Sequence, residues 1–163
     1  MPDAQTWLQP CLHPVYARLL CAELRRRGFE QQQIMANTRL DWATLHTDNR
    51  FLSFAQFRRL VLRALELSQC PWLGLHVGAS TQLATHGALG VLAMACPTVA
   101  QALLAVQRFA SLRENLATFS IGSGDADGLT LHLHEQLDSD DIREYVLGHL
   151  LAGMLNLVQT ISG

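Results

Sequence analysis

Residues 73–98 read LGLHVGASTQLATHGALGVLAMACPT, an apolar run that carries Gly74, Gly78, Gly87 and Gly90, with His76 and His86 close to them. The run stops at Cys96-Pro97-Thr98. Proline does not continue a helix, and Thr98 with Gln101 three residues later reads as a capping box. One helix therefore closes near Cys96 and another opens at Thr98. Inside the run, HGALGVLAMA reads as a short helix with Gly87 and Gly90 at i and i+3, slimmed further by Ala88 and Ala93. Each glycine costs a helix about 1 kcal/mol relative to alanine. Two readings justify that cost: close packing of a neighbouring element, or room for a ligand beside the helix. Gly74 and Gly78 read as turn or cap residues around a short turn or helix at Trp72–Val77.

Working outward, PVYARLLCAELRRRG predicts a helix with Val15, Leu19, Leu20 and Leu24 on one stripe and Gly28 at its C-terminal cap. EQQQIMAN predicts a short helix ended by Asn37, and LDWATLHTD a helical turn. SFAQFRRLVLRALELSQ carries a Ser53–Gln56 capping box and the helical spacing Phe54, Phe57, Leu60, Val61, Ala64, Leu65. Downstream, Val99, Leu103, Val106 and Ala110 mark the buried face of the helix that Thr98 opens. The period then drops to two. In ATFSIGSGDADGLTLHLHEQ, Leu129, Leu131 and Leu133 alternate with Thr130, His132 and His134 around the turn chemistry of GSGDADG, which predicts a β-hairpin near 117–134. A long final helix follows. Ile142, Tyr145, Val146, His149, Leu150, Gly153, Met154, Leu157 and Ile161 form one stripe, and Leu147, Leu151 and Leu155 a second. The fold class is α+β: a helix-rich domain with a small antiparallel sheet packed against helices, one domain over residues 1–163.

Composition narrows the chemistry. The chain has 163 residues, 49% hydrophobic and 16% charged, with a net charge of −2. That length builds a core, and that charge argues against nucleic-acid binding by this chain alone. All twelve cationic residues are arginine. Without lysine there is no Schiff base, no pyridoxal-phosphate attachment and no phosphate-loop lysine, so anion recognition falls to arginine or backbone N–H groups. The four cysteines form no C-x-x-C pair, which leaves no zinc knuckle or thioredoxin-type site. MPDAQTWLQP lacks the basic start and apolar core of a secretion signal, so the expected location is cytoplasmic, with reduced thiols. Near-apolar runs such as Ala88–Cys96 are far short of a membrane span, and no membrane partner is expected.

No catalytic constellation stands out, and the chain reads as a non-enzyme without a cofactor. There is no G-x-S-x-G elbow. Asp140-Asp141 sits at a helix start, where the helix dipole favours it. Asp125 and Asp127 lack the twelfth-position glutamate of a calcium loop. His132 and His134 lie about 7 Å apart on one strand face, but a third ligand is absent, so no metal is expected. His149 sits on the apolar stripe of the last helix and reads as a core or interface histidine.

The ordered set RFLSFAQFRRLVLRALELSQCPWLGLHVG, THGALGVLAMACPTVAQALLAVQRFASL and an alternating hairpin resembles the N-terminal effector-binding and dimerisation domain of AraC-type transcriptional regulators, in the arabinose-binding-like branch. The matching positions are Leu73-Gly74-Leu75 with Gly78, Gly87-Ala88-Leu89-Gly90, Pro97-Thr98, and Arg108-Phe109 with Leu112, over about residues 12–160. Phe109 departs from the usual tyrosine. The resemblance implies a ligand-sensing domain whose small-molecule effector changes dimer geometry, with DNA reached only through a C-terminal domain of two helix-turn-helix motifs that lies outside this sequence. The alternatives are a dimerisation module without a ligand, or a haem or metal sensor using histidines. The expected ligand site lies between the Gly87–Ala95 helix, the Val99–Leu112 helix and the hairpin. It would use His86, Gly87, Gly90, Arg108 and His132, with Arg108 contacting an anion. The open hairpin edges and the doubly apolar last helix predict a symmetric homodimer through Leu147, Leu151 and Leu155; the other reading packs these leucines on the N-terminal helices.

Overall fold

The computed structural model describes residues 6–124 and 128–163. The N-terminal half is built from α1 (Val15–Arg26), α2 (Gln31–Met35), α3 (Trp42–Thr47) and α4 (Phe54–Ser68). The capping box expected at the start of α4 is present in both directions: Ser53 Oγ accepts from the Gln56 N–H, and the Gln56 side chain accepts from the Ser53 N–H at 2.9 Å. Leu20, Leu24, Phe54, Phe57, Leu60 and Val61 are buried in the first of two hydrophobic cores. A short antiparallel pair, β1 (Pro10–Leu12) with β2 (Leu52–Ser53), closes this core. Strands of three and two residues have no readable alternation, which is why sequence periodicity does not reveal them.

Helix α5 (Leu73–Ala79) joins this core to α8 (Arg143–Ser162), which continues a 3₁₀ turn at Asp140–Ile142. Gly74 and Gly78 are not turn or cap residues. They lie at i and i+4 inside α5, on the face that meets α8. A Cβ on Gly74 would overlap the Tyr145 carbonyl oxygen, and one on Gly78 would overlap the His149 carbonyl oxygen. Gly148 answers from α8, where a Cβ would come within 3.2 Å of the Leu75 nitrogen. The two helices thus touch backbone to backbone.

The second core gathers α6 (Ala88–Ala95), α7 (Val99–Phe109), the end of α8 and a hairpin of β3 (Ala117–Ser123) and β4 (Leu129–Glu135). The hairpin register pairs Phe119 with Leu133 and Ile121 with Leu131. Phe119, Ile121, Leu131 and Leu133 pack into this core, while Thr130, His132 and His134 are exposed, so the expected alternation sets the hairpin's two faces. The Gly124 N–H donates to the Gly128 carbonyl at 2.7 Å across the turn. The expected turn residues Asp125 to Asp127 lie outside the described residues. Fold class is α+β, helix-rich, with two small antiparallel sheets among the described residues.

One expectation about α8 changes, and one of two open readings of its second stripe falls away. Residues Asp140–Ser162 form one helical segment long and apolar enough, by length and composition, to cross a membrane, with mean hydropathy 1.2. Runs interrupted by single polar residues conceal this in a linear reading. Leu151 and Leu155 do not pack on the N-terminal helices: they are 60% and 58% exposed. Leu147 is half-buried.

The α5–α8 contact sets the most sensitive positions of the fold. Gly74→Ala must push α8 away from α5, and overpacking of this kind costs up to about 3 kcal/mol. We expect its urea midpoint to fall well below wild type. An unchanged midpoint would show that the helices are free to separate.

Candidate functional site

The two cores do not merge fully. Between them lies a cavity of about 70 Å³. Tyr16 reaches it from α1, His149, Leu150, Gly153, Met154 and Leu157 from α8, and Leu89, Gly90 and Ala93 from α6. Val106 and Ala110 from the α7 end, Phe119 from β3, Leu83, His86 and Glu114 complete the wall.

Local sequence explains how each polar group arrives. His86 ends a 3₁₀ turn, Leu83–His86, and the chain then reverses at Gly87 with φ 62° and ψ −137°, a conformation open to glycine. Gly87 is thus the N-cap of α6, and only Gly90 lies within the helix, against the Leu83 carbonyl. Glu114 is placed by backbone pairing. The His13 N–H donates to the Arg113 carbonyl at 2.8 Å, the Asn115 N–H to the Cys11 carbonyl at 2.8 Å, and the Gln136 N–H to the Leu116 carbonyl at 2.9 Å. The 113–116 segment is therefore held between β1 and the end of β4, and its glutamate is driven inside.

The polar groups form one cluster. The Tyr16 hydroxyl and His86 Nδ1 share a hydrogen bond of 3.1 Å. Arg113 lies beside them and donates to the Thr85 carbonyl at 3.4 Å. Glu114 Oε2 accepts from the Leu116 N–H at 2.7 Å and the Ala117 N–H at 3.3 Å. Four buried side-chain atoms among the described residues have no partner, and three of them belong to this neighbourhood: Arg113 Nε, Glu114 Oε1 and His149 Nδ1. Burial pushes the Glu114 carboxyl up to about 7, against the pull of its two backbone donors. Burial, reinforced by the Arg113 guanidinium, lowers His86 to about 4. Burial, reinforced by His86, lowers His149 to about 4. Tyr16 is raised by burial and by the Glu114 carboxylate.

Of the residues expected to form the site, His86 and Gly90 line this cavity, and Gly87 turns the chain behind it. Arg108 and His132 do not join them. Arg108 is exposed, its guanidinium over the Phe109 ring at 5.3 Å, because it sits on the face of α7 opposite Val106 and Ala110. His132 is exposed on the outer face of β4, opposite in direction to Leu131 and Leu133. The arginine of the cluster is Arg113. Tyr16, Glu114 and Gly153 were also not expected at the site; Tyr16 could have been found at i−4 from Leu20 on the buried stripe of α1. Among the described residues no three His, Cys, Asp or Glu side chains are grouped to hold a metal.

Fold and cavity together define a helix-rich α+β domain that encloses an apolar chamber with a polar corner. Residues 28–163 match the family model described as the arabinose-binding domain of AraC transcription regulators, N-terminal. The chain belongs to this family, which makes it a regulatory domain of the ligand-sensing kind. No curated protein matches the sequence.

The perturbed groups give the fold a defined pH response. Glu114 holds its proton more tightly folded than unfolded, so its stabilising contribution is complete below its ordinary value of 4.5 and is lost as pH rises to about 7. His86 and His149 act in the opposite sense: their contribution is complete above 6.5 and is lost as pH falls to about 4. Between pH 6.5 and 4.5 two histidines oppose one glutamate, so urea titrations should show stability falling on acidification. Glu114→Gln removes the opposing contribution, and its stability should fall more steeply over the same range. Identical slopes for the two proteins would mean that Glu114 titrates normally.

Proposed function

We propose that the chain is a non-catalytic, cytoplasmic sensor domain. In this reading it binds a small-molecule effector in the cavity between its two cores, and binding controls DNA contact made by a C-terminal helix-turn-helix domain of the full regulator. The observation that carries the reading is Gly153. It lies in the middle of α8 and faces the cavity, and a Cβ there would meet nothing within 4 Å. Gly74, Gly78 and Gly148 are explained by the close approach of α5 and α8. Gly153 is not, although glycine costs a helix interior about 1 kcal/mol. Its effect is to keep space open at the cavity wall, which is what a binding site needs and a packed core does not.

This reading has a direct test. Gly153→Ala should stabilise the ligand-free domain by roughly 0.5–1 kcal/mol, while Gly153→Leu should fill the cavity. In a thermal-shift screen of small catabolites, a true effector at a hundred times its dissociation constant adds about 2.7 kcal/mol to the wild-type domain. The same compound should leave Gly153→Leu unmoved. A screen in which no compound stabilises the wild type, or in which every hit stabilises Gly153→Leu equally, would remove the cavity as the effector site.

We further propose that the domain is a homodimer through the outer face of α8. Leu151 and Leu155 stand one turn apart on that face and are mostly exposed, and an exposed apolar stripe on a helix favours a self-complementary contact. Sedimentation at micromolar concentration should give a dimer for the wild type and a monomer for Leu151→Glu. A wild-type monomer would refute the contact.

A further inference from the structure

We propose that Glu114 and His149 read the head group of the effector, and that the effector is an uncharged molecule carrying a hydroxyl on a compact apolar body. The inference rests on the cavity being a ligand site, and it names what that site selects.

Glu114 is 5% exposed, and its Oε2 is fully occupied by the Leu116 and Ala117 N–H groups. Its Oε1 has no partner, and neither does Nδ1 of His149. These two residues, with Tyr16 and Leu150, line both the main cavity and a smaller one of about 20 Å³ that adjoins it. Leaving a buried polar atom unsatisfied costs about 1–3 kcal/mol, and such atoms in a native structure require an explanation. A ligand hydroxyl at this corner donates to Glu114 Oε1 and stands beside His149. Apart from Tyr16 and His86, which are hydrogen-bonded to each other, the remaining wall, including Leu83, Val106, Phe119 and Leu157, is apolar, so the rest of the molecule is apolar.

Charge selects further. An anionic head would meet the Glu114 carboxylate in an apolar enclosure. A cationic head would be buried within the field of the nearby Arg113 guanidinium, which adds to burial in lowering neighbouring His86. Burying an unpaired ion is far more costly than burying a hydroxyl with a partner. The neutral donor is the head group that this corner accepts.

The test uses the whole chain and four one-ring probes: benzyl alcohol as donor, acetophenone as acceptor without a donor, toluene as apolar control and benzoate as anion. At pH 8.5 Glu114 is ionised and only accepts. Benzyl alcohol should then bind roughly tenfold tighter than acetophenone or toluene, and benzoate should not bind. Glu114→Gln keeps an oxygen for the Leu116 and Ala117 N–H groups and turns an NH₂ donor toward the cavity, so its preference should move to acetophenone. The wild type supplies the same test without substitution. At pH 5.5 Glu114 is protonated and becomes a donor, while His86 and His149 remain neutral and Tyr16 remains un-ionised. Acetophenone should therefore gain on benzyl alcohol as the pH falls from 8.5 to 5.5. Equal binding of alcohol, ketone and toluene at both pH values overturns the head-group assignment and leaves the sensing reading intact. The same holds if none of these probes binds while a screened compound without a hydroxyl stabilises the wild type through the cavity. Failure of every compound, probe or catabolite, to stabilise the wild type overturns both.

Discussion

Backbone contact between α5 and α8 is the constraint on which the rest of the structure depends. Gly74 and Gly78 admit the Tyr145 and His149 carbonyls to positions that any side chain would occupy, and Gly148 returns the contact against Leu75. Small residues on facing helices shorten the interaxial distance, which side-chain size otherwise sets. Once α8 is fixed this closely to α5, its first turns belong to the N-terminal core through Tyr145 and Val146. Its later turns project beyond α5 and supply Leu157 to the second core. One helix therefore serves two cores, with Leu150 packed against both.

The cavity follows from that arrangement. Tyr16 comes from the N-terminal core, while Val106, Ala110 and Phe119 come from the second. Between them, the Arg113–Leu116 segment is fixed by hydrogen bonds to β1 and to Gln136, so Glu114 cannot leave the interior without breaking them. Protein interiors pack to near-crystalline density, and a residual space lined by a mid-helix glycine and two unsatisfied polar atoms is an exception to that rule. Burial disfavours the charged forms there: it holds His86 and His149 neutral near physiological pH and raises the Glu114 carboxyl to about 7.

Much of the fold was legible in the sequence because its long elements obey simple periods. The helical spacing and capping box of α4, the two-residue alternation of the hairpin and the stripes of α8 all map onto observed elements. The site was less legible. Arg108 and His132 have the right chemistry and lie near the cavity in chain order, yet the same periods already place both on outer faces: 108 lies opposite 106 on a helix, and 132 alternates with 131 and 133 on a strand. Glu114 left no such signal. It lies in a short segment between a helix and a strand, where a charged residue ordinarily faces water, and it is buried only because β1, about a hundred positions earlier, pairs alongside. Glycine in a short run suggests a turn, which is how Gly74 and Gly78 look in sequence; that the pair at i and i+4 faces another backbone is a tertiary fact.

The two ends of α8 are held with different strength, and this bears on how the cavity could be heard at the surface. The first half meets α5 through backbone atoms, where no side chain can adjust. The second half is held by apolar contacts and by one side-chain hydrogen bond, from Asn156 Nδ2 to the Thr81 carbonyl. Rotamers and apolar contacts rearrange at small cost, whereas a backbone contact without intervening side chains does not. In the proposed reading, a molecule bound beside Gly153 would therefore lie against the yielding half of the helix, away from the Gly74–Tyr145 and Gly78–His149 contacts. Leu151 and Leu155 ride on the outside of that same half. A ligand shifts such an equilibrium only by its difference in affinity for the two positions of the helix. Under that reading, coupling between cavity and outer face would be set by how differently Gly153, Met154 and Leu157 contact the ligand in each, and not by how tightly the ligand binds.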